Sequence, residues 1–194
     1  MLLDEEETLM LLDQPVRQIA YAVADVREFA TKHSRSYGSG PYLMVEDAEI
    51  SGTIRGRDVT FKVDVAFGQW GEMQVEVLHQ TTPGPGLIHE LYPEGSGRFG
   101  VHHFCSIVDN LDAAIAEFEA DGCETVFRGT MPLGTNAVMM DTEATLGHFT
   151  ELYMYTDEIR WLYEGVKAAS IGFDGSNPMR SFVDYMPSAL KIQS

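Results

Sequence analysis

Basic residues are scarce in this chain: 13 lysines and arginines stand against 30 aspartates and glutamates, a formal net charge of −17 over 194 residues. Binding a phosphate backbone or an anionic lipid surface takes Lys and Arg that displace counterions, so neither nucleic acid nor membrane is expected as a partner. Cysteine is nearly absent too. Cys105 and Cys123 have no CxxC spacing and read as free core thiols in a reducing compartment. No apolar run approaches the roughly 20 residues that cross a bilayer. The opening residues Met1-Leu2-Leu3-Asp4-Glu5-Glu6-Glu7 carry acid where a secretory signal carries positive charge. A soluble, cytoplasmic protein is the expectation.

What is present is an ordinary globular composition, 44% apolar and 22% charged, long enough for a sizeable core. The pattern predicts a short acidic helix over 4–14, ended by Pro15. A strand at Gln18–Val23 follows, then Asp25 as the N-cap of a helix from Val26 toward Ser36, stopped by Gly38-Ser39-Gly40-Pro41. Strands are predicted at Tyr42–Ile50, Thr60–Gln69 and Gly71–His79, and a short helix near Leu87–Leu91. Breakers across Pro93–Gly100 mark an internal boundary.

The pattern then starts again. His103–Val108 reads as a strand, Asn110 as an N-cap and Leu111–Ala120 as a helix, with strands at Glu124–Arg128, Asn136–Asp141 and Phe149–Met154. A last helix over 157–169 precedes a Gly/Ser/Pro-rich tail expected to drape over the surface. Laid on each other, Gln18 falls on His103, Val23 on Val108, Asp25 on Asn110, and Val75-Glu76-Val77 on Thr150-Glu151-Leu152. A repeat this long is a duplicated module, not a solenoid period. The expected architecture is α+β: an acidic segment at 1–14, one βαβββ module over 15–92, a second over 93–157, and a C-terminal helix and tail over 158–194.

The segments Gln18-Ile19-Ala20-Tyr21-Ala22-Val23, Val75-Glu76-Val77, Gly100-Val101-His102-His103-Phe104 and Gly147-His148-Phe149-Thr150-Glu151-Leu152 resemble the metal-bearing strands of the vicinal-oxygen-chelate superfamily. That group includes glyoxalase I, methylmalonyl-CoA epimerase, extradiol dioxygenases and bleomycin-resistance proteins. The resemblance implies two modules closing as a glyoxalase-like paired half-barrel around a small-molecule site. It also implies one inward ligand from the first and last strand of each module: Gln18, Glu76, His103 and Glu151. One imidazole, two carboxylates and an amide oxygen suit a single divalent Zn, Mn, Fe, Co or Ni ion. A homodimer is implied as well, because family members often pair modules across chains.

Adjacent strand residues point to opposite faces, so His103 is expected inside and His102 outside. His33 reads as a surface residue on the first helix. Tyr153, two residues beyond Glu151, and His148, before that strand, are the candidates for the substrate pocket. With Gln18 where extradiol dioxygenases place a histidine, ring cleavage is disfavoured; the order Gln, Glu, His, Glu is one that glyoxalase I patterns allow. The expectation is an isomerase or lyase in which Glu151 or Glu76 removes a proton beside a carbonyl. The alternative is a metal-free binding protein for an aromatic or drug-like ligand.

Overall fold

The computed structural model describes residues 15–131 and 134–185; the helix expected over 4–14 lies outside them. The first module runs β1 (Val16–Ala22), α1 (Val26–Tyr37), β2 (Tyr42–Ile54), β3 (Arg57–Trp70) and β4 (Met73–Gln80), and a short α2 (Leu87–Leu91) leads out of it. The second runs β5 (Gly100–Val108), α3 (Leu111–Ala120), β6 (Thr125–Thr130), β7 (Asn136–Met140), α4 (Glu143–Leu146) and β8 (Phe149–Met154). Then come α5 (Asp157–Ser170), β9 (Met179–Ser181) and a 3-10 turn at Phe182–Asp184. Among the described residues, no helix is long and apolar enough to cross a membrane.

Capping fixes where both crossover helices begin. The Asp25 carboxylate accepts from the Glu28 amide at 2.8 Å, and the Asn110 side chain accepts from the Ala113 amide at 3.1 Å. Each crossover lets the first strand of its module pair parallel with the last, β1 with β4 and β5 with β8. The modules meet where β1 and β5 pair antiparallel. On the far side, β2 pairs with both β3 and β6, so eight strands close into a barrel. That seam needs small residues: Gly52 stands opposite Gly129, and a Cβ on Gly52 would come within 2.5 Å of the Arg128 carbonyl.

The tail departs from expectation. Residues 179–181 do not lie loose on the surface but add β9 parallel to the start of β2, at Tyr42, Leu43 and Met44. Pairing with β6 involves only Ser51–Ile54 of β2, so the backbone groups along its first residues are open to a further strand. The addition carries Phe182 into the interior at 1% exposure. His33 is likewise not on the surface. It is buried beside Ser39 and Tyr42, with its Nδ1 2.7 Å from the Ser39 hydroxyl.

Candidate metal centre

Strand pairing determines which side chains share the barrel interior. Ala20 of β1 stands opposite Glu76 on one side and opposite His103 on the other, and Cys105 stands opposite Glu151. Alternation along each strand then points Gln18, Gln74, Glu76, Cys105, Glu151 and Tyr153 the same way. His103, Glu76 and Glu151 converge: ligand atoms from all three lie within 4.8 Å of one another. His103 Nε2 is 3.2 Å from Glu76 Oε2 and 3.1 Å from Glu151 Oε2, with all three side chains buried.

These close approaches lack hydrogen-bond alignment. Among the described residues, His103 Nε2 and both Glu151 oxygens find no hydrogen-bond partner, although they are buried. An unpaired buried polar atom costs about 1–3 kcal/mol, and more when charged, so the cluster calls for a positive charge among these atoms. The spacing fits a metal ion. Bonds of about 2.0–2.2 Å to nitrogen and oxygen place donors of one shell about 3 Å apart, close to what is observed. The donor set, two carboxylates and an imidazole, suits a borderline divalent ion.

His102 was expected on the outer face but is fully buried, beside His103. The reason is a bulge. Across from β1, Ala20 faces His103 and Tyr21 faces Val101, leaving His102 as an extra residue that turns inward with its neighbour. Its Nδ1 lies 2.9 Å from His103 Nδ1 and its Nε2 3.2 Å from the Leu87 carbonyl. A carbonyl only accepts, so His102 donates from Nε2 and is left to accept at Nδ1 from the Nδ1–H of His103. That chain turns His103 Nε2 toward the two carboxylates. Burial, with His103 beside it, pushes the pKa of His102 down to about 3, which keeps it neutral. Burial alone would lower His103 as well, but the Glu151 and Glu76 carboxylates outweigh it and raise it to about 10.

Gln18 is buried on the same inward face, two residues from Ala20. Its Nε2 donates to Gln74 Oε1 at 2.6 Å, and its Oε1 finds no partner among the described residues. Tyr153 and Glu76 line a cavity of about 60 Å³, together with His102 and His103. His148 is not among the residues lining that cavity; its Nδ1 lies 2.8 Å from the Phe149 carbonyl and its ring lies tilted against Phe104, with centroids 4.3 Å apart. Phe149 is an inward residue of β8, so the residue before it faces outward, which corrects the pocket role expected for His148. Sequence reasoning missed Gln74, Cys105 and His102. The first two share a period of two with Glu76 and His103 and were open to that signal; a bulge leaves none.

Residues 17–137 match the family model described as Glyoxalase/Bleomycin resistance protein/Dioxygenase superfamily. Among solved structures, the chain resembles a hypothetical protein from Bacillus halodurans C-125, at 15% identity over 75% of this chain and 97% of that one, with a TM-score of 0.54. It also resembles methylmalonyl-CoA epimerase from Mycobacterium tuberculosis, at 16% identity over 78% and 96%, TM-score 0.51. A third is a Streptomyces coelicolor methylmalonyl-CoA epimerase variant in complex with 2-nitronate-propionyl-CoA, at 14% identity over 74% and 98%, TM-score 0.52. At these identities the likeness is one of fold. No curated protein matches the chain.

Proposed function

The chain belongs to the glyoxalase/bleomycin resistance protein/dioxygenase superfamily, and we propose that it is a metal-dependent isomerase or lyase that removes a proton beside the carbonyl of a small molecule. The observation that carries this reading is the buried Glu76–His103–Glu151 cluster, in which His103 Nε2 and both Glu151 oxygens find no hydrogen-bond partner among the described residues. These three residues would hold the ion, with the free Oε1 of Gln18 as a fourth donor. A bound divalent ion would polarise a substrate carbonyl and so acidify the neighbouring C–H.

The protein residues divide the remaining work by position. Glu76 lines the cavity and Glu151 does not, so Glu76 is the carboxylate that reaches a substrate proton. Burial raises the pKa of Glu76, so this carboxylate, once it leaves the ion, is a stronger base than one in water. Glu151 and His103 hold the ion, and His102 orients His103. Apolar walls keep competing water away from the proton. The epimerases among structures of this fold are isomerases by name, consistent with proton removal and return. The cavity's apolar lining also favours a second reading, a metal-free binding protein, against which two buried carboxylates with one imidazole weigh heavily.

Metal analysis by plasma mass spectrometry on untagged protein separates the two readings. About one equivalent of a transition metal is expected, and it should be lost in His103→Ala and Glu151→Ala. Protein that stays metal-free after incubation with Zn, Mn, Fe, Co and Ni would falsify the enzyme reading.

A further inference from the structure

The cavity beside the metal centre is the work of both modules and of residues after them. Its walls include Val63, Val65 and Phe67 of β3 and Leu87 of α2, and it is closed by Ile159 and Leu162 of α5 and by Phe182. All three closing residues are buried, at 1–3% exposure, and all follow the second module. Among the described residues, no lysine or arginine lines this cavity. The two cations of α5 nearest in sequence to its inward face lie on the outside, where Arg160 pairs with Asp157 and Glu164, and Lys167 with Glu72.

A ligand carboxylate or phosphate moved from water into such a space would meet no compensating charge, at a cost of several kcal/mol. A divalent ion would not change this, because Glu76 and Glu151 already balance its charge. The cavity of about 60 Å³ holds roughly four or five water-sized bodies, and an apolar void of this kind is filled best by an apolar group. We infer that this site takes a small, uncharged, largely apolar carbonyl compound, and that α5 and Phe182 exclude acyl-CoA thioesters. The inference rests on the same cavity as the proposed function and names its substrate class. In the solved relative bound to 2-nitronate-propionyl-CoA the ligand is a coenzyme A derivative; here the closing residues and the lack of cations act against one.

The test compares butanone, uncharged, with propionate, its anionic counterpart of similar size, and with acetyl-CoA. Binding is read by calorimetry and by the shift in unfolding temperature, on protein stripped of metal by chelator and again on metal-loaded protein. Saturable binding of butanone is expected in both forms, at least about tenfold tighter than propionate, with none for acetyl-CoA. Because the stripped protein is measured separately, failure of the metal reading leaves this result standing. Phe182→Ala should improve binding of the larger acetophenone by about tenfold, and Phe182→Leu by less; circular dichroism confirms that each variant folds. Propionate or acetyl-CoA binding as tightly as butanone, or no binding of butanone by the wild-type chain, overturns the inference.

Discussion

His102 is the residue whose role depends most on a single backbone irregularity. Held neutral and hydrogen-bonded between Leu87 and His103, it sets which nitrogen of His103 faces Glu76 and Glu151. Partners behind a ligating histidine commonly contribute 10–100-fold in metal affinity. His102→Ala is therefore expected to lower affinity by about that factor at unchanged stoichiometry, in a competition titration against a chelator. Unchanged affinity would remove the positioning role. His33 offers a different test. It packs between Phe29 and Tyr37 with Trp70 edge-on, and burial lowers its pKa from 6.5. The unfolded chain thus takes up a proton that the folded chain resists. Stability from this residue is complete above about pH 6.5 and is lost as pH falls toward the lowered value. His33→Phe keeps the ring stack and leaves the 2.9 Å bond between Ser39 and Tyr42 in place. Melting curves between about pH 6.5 and 5 should then be flatter for the variant than for the wild type; equal slopes would assign the pH dependence to other groups.

Among the elements, the seam between β2 and β6 decides whether the barrel closes. Gly52 and Gly129 face each other there, and a Cβ at Gly52 would also come within 2.6 Å of the Gly129 Cα. Backbone cannot give way as a flexible side chain can. Gly52→Ala is expected to destabilise the protein by about 1–3 kcal/mol in denaturant unfolding, the usual range for overpacking. A neutral result would mean that the seam breathes. Arg55, in the turn after β2, ties this hairpin to α2 through Glu90 at 3.0 Å and to the second module through Asp141 at 2.7 Å. The crossover helices were readable beforehand because their caps are chemical signals: Asp25 and Asn110 each stand one residue before the helix they start. The strand edges were less so. β2 and β3 run past the predicted ends because pairing with each other and with β6 extends them.

For the molecule as a whole, the net charge of −17 sets a term that no local contact supplies. Like charges on a compact body repel, and salt screens them over about 10 Å at 0.1 M. The unfolding temperature is expected to rise between 10 mM and 300 mM sodium chloride, and scanning calorimetry would show it. A fall would mean that the exposed ion pairs outweigh the net repulsion.

The repeat, the two helix caps and the inward period of two were fixed by local chemistry, so the sequence by itself determined the two-module α+β plan, while its resemblance to the superfamily's metal-bearing strands nominated Gln18, Glu76, His103 and Glu151. Only tertiary structure brought Glu76, His103 and Glu151 within reach of one another, because they stand on separate strands whose neighbours are set by pairing across the barrel. It also decided what period alone reads wrongly. A bulge opposite β1 turned His102 inward, and a tail rich in breakers found the open edge of β2 and delivered Phe182 to the cavity wall. Both depend on which backbone groups are left without a partner, and that follows from the assembled sheet rather than from any one segment.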